Sequence, residues 1–179
     1  TTALHGFGTI NADFGFHGTL KADNGILNVN GVILGPSLDP PVFGTADSAG
    51  IFNLTNAWNT NLTASVETQG GQLRGATVTN DGSNGVSGHG LVSARIVNNS
   101  RIDAEGGTLI VETAANDNDW DGAGTGQLNA ISGDLEIRDD IHFPFSGTNV
   151  ADAGRTVLAD GFKLQFQPGA ALTLTQGTY

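Results

Sequence analysis

The feature that most constrains the fold of this chain is an internal repeat. Residues 6–30 align with residues 88–112 without a gap, so that each position n of the first stretch matches position n + 82 of the second. Seven aligned pairs are identical: Gly6/Gly88, Gly8/Gly90, Ala12/Ala94, Ala22/Ala104, Gly25/Gly107, Leu27/Leu109 and Val29/Val111. A third copy of the opening, Gly-x-Gly-x-Leu-Asn-Ala, stands at 124–130. Self-similarity of this kind is typical of solenoids, in which each repeat stacks on the next.

The pattern inside each copy predicts short strands. Apolar residues alternate over three to five positions, as at Thr9–Ala12 and Ile26–Val29, and then Gly or Asn interrupts them. Alternation favours strands, and Gly and Asn favour turns with positive φ. The constant offset between the copies corresponds to about four coils of some twenty residues. The sequence therefore predicts an all-β parallel β-helix (a β-solenoid) over 1–179 as one domain of about seven to nine coils, with loop insertions and a terminal cap.

Composition excludes several classes of function. The chain has 18 acidic and 7 basic residues, a net charge of −11, which argues against nucleic acid or an anionic membrane as partner. No apolar run approaches the roughly 18 residues of a membrane helix, so we expect no membrane insertion in this segment. Cysteine is absent, which excludes disulfides and thiolate chemistry. Methionine is absent too, and we expect a mature or excised segment whose targeting signal lies outside it.

Two stretches, 36–60 and the tail from Ile141, match the repeat poorly. Within the first, residues 36–44 carry three of the five prolines. Because proline cannot donate a ladder hydrogen bond, we expect a loop insertion there and no inner strand. Residues 141–179 are richer in Phe and are predicted to form terminal coils or a cap. The open end of a solenoid is an unpaired sheet edge, which must be capped, blocked or used for assembly.

An acidic loop is the sharpest candidate site. It reads Asp117-Asn-Asp119-Trp-Asp121-Gly122, and alternating Asp followed by Gly is how a loop wraps oxygen ligands around Ca²⁺. The twelfth position is Leu128, where an EF-hand needs a bidentate Glu, so the loop is not an EF-hand. Asp117, Asp119 and Asp121 are therefore predicted ligands of a structural Ca²⁺. The alternative is a solvated acidic loop.

Catalytic patterns are weak. Paired carboxylates that could cleave glycosides stand at Asp134/Glu136 and Asp139/Asp140. Asp134 and Glu136 would share one strand face with Arg138, which a surface ladder of charges explains equally well. Gly-x-Ser-x-Gly is absent, and the four His are not paired for a metal. We expect no enzyme, no catalytic residues and no cofactor besides Ca²⁺.

The second copy of the repeat also carries a family resemblance. Its core, Val-Asn-Asn-Ser-Arg-Ile-Asp-Ala-Glu-Gly-Gly-Thr-Leu, resembles the repeats of bacterial surface β-helix proteins. These are the passenger domains of autotransporters and the filamentous-haemagglutinin-like adhesins. The resemblance covers roughly 6–34 and 62–140. It implies a parallel β-helix at the bacterial cell surface or in the extracellular space.

Two functional hypotheses follow. The first is a non-enzymatic structural protein, a self-associating fibre subunit or adhesin-like stalk that forms homo-oligomers or filaments through the solenoid ends. The second is a carbohydrate-binding or carbohydrate-cleaving β-helix with surface glycans as partners. It would use the acids of 134–140 and the aromatic faces of Trp58 or Trp120, provided that these tryptophans are exposed and not packed in the core.

Overall fold

The computed structural model describes residues 2–34, 41–60, 64–82, 84–112, 126–138, 141–143, 148–151, 154–158, 164–166 and 171–174. These ranges contain strands and no helix, and so no helix with the length and apolarity that crossing a membrane requires. The prediction of an all-β protein is confirmed. The strands are β1 Ala3–Ile10, β2 Thr19–Val29, β3 Val42–Thr45, β4 Ile51–Leu54, β5 Trp58–Asn59, β6 Ser65–Gly75, β7 Val78–Asn80, β8 Val86–Val92, β9 Ile96–Asn98, β10 Arg101–Glu112, β11 Gln127–Ala130, β12 Leu135–Arg138, β13 Ile141–Phe143, β14 Thr148–Ala151, β15 Thr156–Leu158, β16 Leu164–Phe166 and β17 Ala171–Leu174.

One large parallel sheet organises the described chain. Its strands follow the order β1-β2-β3-β6-β8-β10-β11-β14-β17, and β4, β12 and β15 pair beside this path. Each strand pairs with one further along the chain, as Ala3 pairs with Thr19 at one end and Arg101 with Gln127 beyond the middle. Two smaller sheets, β5-β7-β9 and β13-β16, are parallel as well. The mostly parallel arrangement is compatible with a β-solenoid.

Stacked apolar rows form the core, because the register places like residues above one another. One row runs through Leu20, Phe43, Val66, Val86, Ile102 and Leu128, all buried. A second row runs through Leu27, Phe52, Leu73, Val92, Val111 and Ile137, also buried. Burying each such side chain contributes about 1.5–3 kcal/mol before entropy is counted. The alternation seen in the sequence therefore marks the inner face of the sheet.

The repeat found in the sequence is reproduced in the pairing. Strands β1 and β2 correspond to β8 and β10 at the offset of the repeat, and the same residues are partners in both copies. These partners are Gly6 with Ala22, Gly88 with Ala104, Gly8 with Leu27, and Gly90 with Leu109. Asn24 and Gly106 stand at equivalent positions, with φ of 55° and 74°. Gly and Asn adopt this left-handed conformation more easily than other residues.

The predicted loop insertion at 36–44 is wrong for its last three residues. Val42–Thr45 forms β3 inside the large sheet, and Phe43 is only 1% exposed. The prolines end at Pro41, whose carbonyl oxygen accepts a hydrogen bond from the Ser65 N–H at 3.1 Å. The strand begins one residue later, where each residue has a donor: the Val42 N–H donates to the Gly18 carbonyl oxygen at 2.8 Å. Residues 35–40 lie outside the described ranges.

Candidate functional site

The first strand forms an open edge of the large sheet. Strand β1 pairs with β2 on one side, and no strand of the described ranges pairs with its other side. Its side chains are mostly exposed, including Leu4 at 53% and Phe7 at 72%. An unpaired strand edge presents a row of N–H and C=O groups that can pair with another strand. Among the described strands, β1 therefore presents an unpaired edge.

An apolar concavity lies beside this edge. It has a volume of about 220 Å³. Its lining is mostly apolar and combines residues of β1 with two core residues of β2: Leu4, His5, Gly6, Phe7, Thr9, Ile10, Leu20 and Leu27. Leu4 is the register partner of Leu20 and begins the first apolar row of the core. This row therefore ends at β1 with the half-exposed Leu4, while Leu20 beneath it is only 1% exposed.

Two glycines make the surface of β1 accessible to a close backbone. A Cβ added to Gly6 or Gly8 would meet nothing within 4 Å. At the equivalent interior positions, a Cβ on Gly88 would overlap the Thr68 carbonyl oxygen, and one on Gly90 would overlap that of Gly71. The interior glycines are needed because strand β6 lies directly against β8. The edge glycines leave the same space free.

A polar groove crosses the middle of the sheet. It has a volume of about 430 Å³ and is lined by Glu67, Thr68, Gln69, Ser87, Gly88, His89, Glu105 and Gly106. The Lys21 ammonium donates to the Glu67 carboxylate at 2.7 Å, and Lys21 is only 6% exposed. The two residues are register partners of Gly44, which has no side chain between them. This long-range ion pair fixes one wall of the groove.

The predicted acid pair lies among basic side chains. Arg155 donates to the Asp134 carboxylate at 3.2 Å, and this hydrogen bond holds the pKa of Asp134 below its usual value of 3.8. Arg138 donates to Glu136 at 2.8 Å and to Glu112 at 3.2 Å, and these bonds raise the pKa of Arg138. A general acid in glycoside cleavage needs the opposite shift, a raised carboxyl pKa. Asp134 thus pairs with Arg155 and not with the Glu136–Arg138 row, while Asp139 and Asp140 lie outside the described residues.

Trp58 does not stand on the surface. It is 7% exposed and packs edge-on against Phe43, with 5.0 Å between the ring centroids. A buried ring cannot stack on a sugar, so the hypothesis of a sugar platform is wrong for Trp58. Trp120 lies outside the described residues.

The predicted calcium ligands Asp117, Asp119 and Asp121 also lie outside the described residues. Within the ranges that the structure does describe, no three His, Cys, Asp or Glu side chains are grouped so that they could hold a metal ion. The residues that sequence reasoning missed are Leu4 and Phe7 at the edge and Lys21 under the groove. No sequence signal marks the edge, because Gly6 and Gly8 recur at positions 88 and 90 in a strand that is paired on both sides.

No protein-family model, no curated protein and no solved structure matches this chain. The architecture of the described residues is all-β and is built around a mostly parallel sheet.

Proposed function

We propose that the chain is a parallel β-solenoid and a non-enzymatic structural protein of the bacterial cell surface or extracellular space. It associates with copies of itself as a fibre subunit or adhesin-like stalk. The observation that carries this proposal is the open edge of β1 with its exposed Leu4 and Phe7. An exposed apolar strand edge of this kind can pair with a strand of another copy.

The composition of β1 favours pairing of its edge with another strand, because it lacks the residues that protect exposed edges. Proteins guard exposed edges with Lys, Pro, inward-pointing charges or bulges that twist the edge away. Strand β1 reads Ala-Leu-His-Gly-Phe-Gly-Thr-Ile and contains no Lys, Arg, Asp, Glu or Pro. Its one register shift, between Gly6 and Gly8, is shared with the interior copy, where a strand is added without difficulty. The edge therefore lacks the devices that prevent pairing.

The distribution of charge favours growth from the ends. The net charge of −11 makes the sides of two copies repel when they come within a Debye length of about 8–10 Å. Strand β1 and strand β17, which reads Ala-Leu-Thr-Leu, carry no charged residue. Copies that meet through their sheet ends avoid this repulsion. End-to-end association should therefore produce single fibres in preference to lateral bundles.

Electron microscopy of the purified chain, combined with sedimentation velocity at neutral pH, tests this proposal. We expect rods that lengthen as the protein concentration rises. Leu4→Lys places a charge on the edge and should leave single short rods, whereas Val157→Lys, at a site 40% exposed and away from β1, should leave the assembly intact. Single rods of the unaltered chain at every concentration would overturn the proposal.

The alternative function, binding of surface glycans, has one observation in its favour, the polar groove beside Glu67, His89 and Glu105. Its hydrogen-bonding side chains are of the kind that hold sugar hydroxyls. Titration of the chain with acidic and neutral glycans measures this directly. Binding that Glu105→Ala abolishes and Glu136→Ala leaves unchanged would favour the alternative, and no binding to any glycan would remove it.

Calcium stays a prediction from the sequence alone. If Asp117, Asp119 and Asp121 bind Ca²⁺ that bridges copies, a chelator should shorten the rods, and added Ca²⁺ should restore them. Rods of unchanged length in excess chelator would contradict the bridging role.

A further inference from the structure

We propose that the polar groove binds a sugar that carries a protonated amino group, and that the Glu105 carboxylate receives this ammonium. The inference rests on the alternative function, binding of surface glycans, and names the class of sugar that the groove selects. It does not depend on how copies of the chain associate, because the lining residues lie on β6, β8 and β10, inside the described sheet.

The groove arises because neighbouring strands differ in length at the same point of the sheet. In β8 a single residue, His89, separates two positions whose register partners in β10 are Ala104 and Leu109. The four residues 105–108 of β10 therefore stand opposite one residue of β8. Strand β6 also has one residue more than β8 at this point. The shorter β8 thus forms the floor of the groove, and its longer neighbours form the walls.

The imidazole ring of His89 rests against the backbone of β10. A Cβ added to Gly107 would lie 3.2 Å from the Cβ and Cγ atoms of His89 and 3.3 Å from its Cδ2 atom. The first copy of the repeat has the same arrangement with Phe7 and Gly25, where the distances to Cβ and Cγ are 3.1 and 3.2 Å. A glycine at this position leaves room for a ring. The second copy places there a ring whose nitrogens can hydrogen-bond to a ligand.

Four polar side chains around the groove keep their hydrogen-bonding capacity. No hydrogen bond or ion pair among the described residues uses the side chains of Gln69, Ser87, His89 or Glu105. An amide, a hydroxyl and an imidazole both donate and accept, as sugar hydroxyls do. Their convergence on one concavity of about 430 Å³ suits a ligand with several hydroxyl groups.

The charge of the groove favours an ammonium among such ligands. The Glu67 carboxylate is matched by Lys21 at 2.7 Å, and Asp103 is matched by Arg101 at 3.2 Å. Glu105 has no cationic partner among the described residues, and the whole chain carries a net charge of −11. An acidic sugar is therefore repelled, and a neutral sugar leaves Glu105 without a counter-charge. An ammonium makes charge-assisted hydrogen bonds with this carboxylate.

Calorimetric titration of the full chain with glucosamine, N-acetylglucosamine and glucose tests the inference, because these sugars differ at one position. At pH 7 and low salt we expect glucosamine to bind at least about 10-fold more tightly than either neutral sugar. Ethanolamine, an amine without a sugar ring, should bind at least about 10-fold more weakly than glucosamine. Added salt should weaken the binding of glucosamine and leave that of the neutral sugars unchanged.

Two substitutions assign the roles within the groove. Glu105→Gln keeps the size of the side chain and removes its charge, so it should reduce the preference for glucosamine to less than about 2-fold. His89→Ala should weaken the binding of all three sugars. The matched control is Asp23→Asn, because Asp23 is the equivalent of Glu105 at the offset of 82 residues and does not line the groove. Circular dichroism confirms that each variant is folded.

Three results would overturn the inference and leave the glycan-binding alternative standing. They are equal affinities for glucosamine and glucose, a preference for glucosamine that survives Glu105→Gln, and an equal loss of that preference in Asp23→Asn. Ethanolamine that binds as tightly as glucosamine would overturn the assignment of a sugar. Absence of binding by every sugar would overturn both the inference and the alternative, and the test of self-association by electron microscopy is separate from all of these.

Discussion

The two copies of the repeat share a sequence pattern and a strand register, yet they have opposite surroundings. In the interior copy, β8 is covered by β6 on one side and β10 on the other, and Val86 is fully buried. In the edge copy, β1 pairs only with β2 among the described strands, and Leu4 is half exposed. The pattern therefore specifies that a strand can stack and does not specify where in the stack it lies.

The glycines show this difference most clearly. Gly88 and Gly90 are required by the carbonyl groups of β6, which occupy the space of a Cβ. Gly6 and Gly8 have no backbone of the described residues against them, yet the edge copy carries both. Their remaining requirement is conformational, since φ is 152° and 134°. Substitutions at the two sets of glycines can therefore separate the steric requirement from the conformational one.

The largest expected effect comes from Gly88→Ala compared with Gly6→Ala. Gly88→Ala forces a methyl group into the backbone of β6 at a φ of 111°, which should lower the free energy of unfolding by about 2–6 kcal/mol. Gly6→Ala meets no atom within 4 Å and should cost no more than about 1–3 kcal/mol through its positive φ. Urea unfolding of the unassembled chain measures both.

Gly6→Ala should be the milder of the two substitutions for stability and yet the one that acts directly on assembly. Gly6→Ala should abolish rods although the chain remains folded, because the added methyl group blocks the incoming backbone. Equal losses of stability at the two positions would contradict the distinction between edge and interior. Normal rods formed by Gly6→Ala would show that no backbone approaches β1.

Truncating the aligned apolar residues gives the next largest effect. Val86→Ala removes two fully buried methyl groups and should cost about 2–3 kcal/mol, including the cavity left behind. Leu4→Ala removes more carbon, but at a half-exposed site, and should cost less than about 1 kcal/mol in the unassembled chain. Thermal unfolding at low protein concentration checks this pair. A larger loss at Leu4 would mean that the edge is covered in the single chain.

The two copies also differ in charge, because the equivalent positions 21 and 103 carry buried groups of opposite sign. Lys21 pairs with Glu67, whereas Asp103 accepts a hydrogen bond from Asn129 at 2.7 Å and pairs with Arg101. Glu67→Gln leaves the Lys21 ammonium buried without its carboxylate and should cost about 1–3 kcal/mol. Adding Lys21→Met should recover most of that loss, as chemical denaturation can show. If the double variant did not recover stability, the loss would come from other contacts of Glu67 and not from the unpaired Lys21.

The smallest effect lies away from both copies, at Asp134. Its pKa is lowered by the Arg155 hydrogen bond, so the stability it contributes is present above about pH 5 and is lost as the pH falls through the lowered pKa. Asp134→Asn should lower the melting temperature by about 1–3 °C at pH 7, and this difference should shrink as the pH falls below about 4. Glu105→Gln, an exposed carboxylate, serves as control. A difference that stays constant as the pH falls would contradict the ionic origin.

Much of the fold could be predicted because the repeat is local and regular. The strand spacing and the inner face follow from residues close in sequence, and the equivalence of Asn24 with Gly106 follows from the offset of 82 residues between the two copies. Strand β3 is not predicted from the sequence. The exclusion of proline from inner strands was applied to residues 42–44 as well, although they follow the last proline of that stretch. The Lys21–Glu67 pair joins positions far apart in the sequence, and no local pattern indicates it. The exposure of Leu4 depends on a missing neighbour, which the repeat itself cannot reveal.

The path of nine strands from β1 to β17 sets a length for the proposed fibre. Each step between neighbouring strands advances about 4.8 Å, so nine steps, counting the contact between copies, give an axial period of about 43 Å. In the proposed fibre, an end-to-end contact that continues the sheet from one copy to the next would have the same spacing as every other step. Aligned fibres should therefore diffract strongly along the fibre axis near about 4.8 Å, and the longer period of about 43 Å should be a weak modulation that marks where one molecule ends and the next begins.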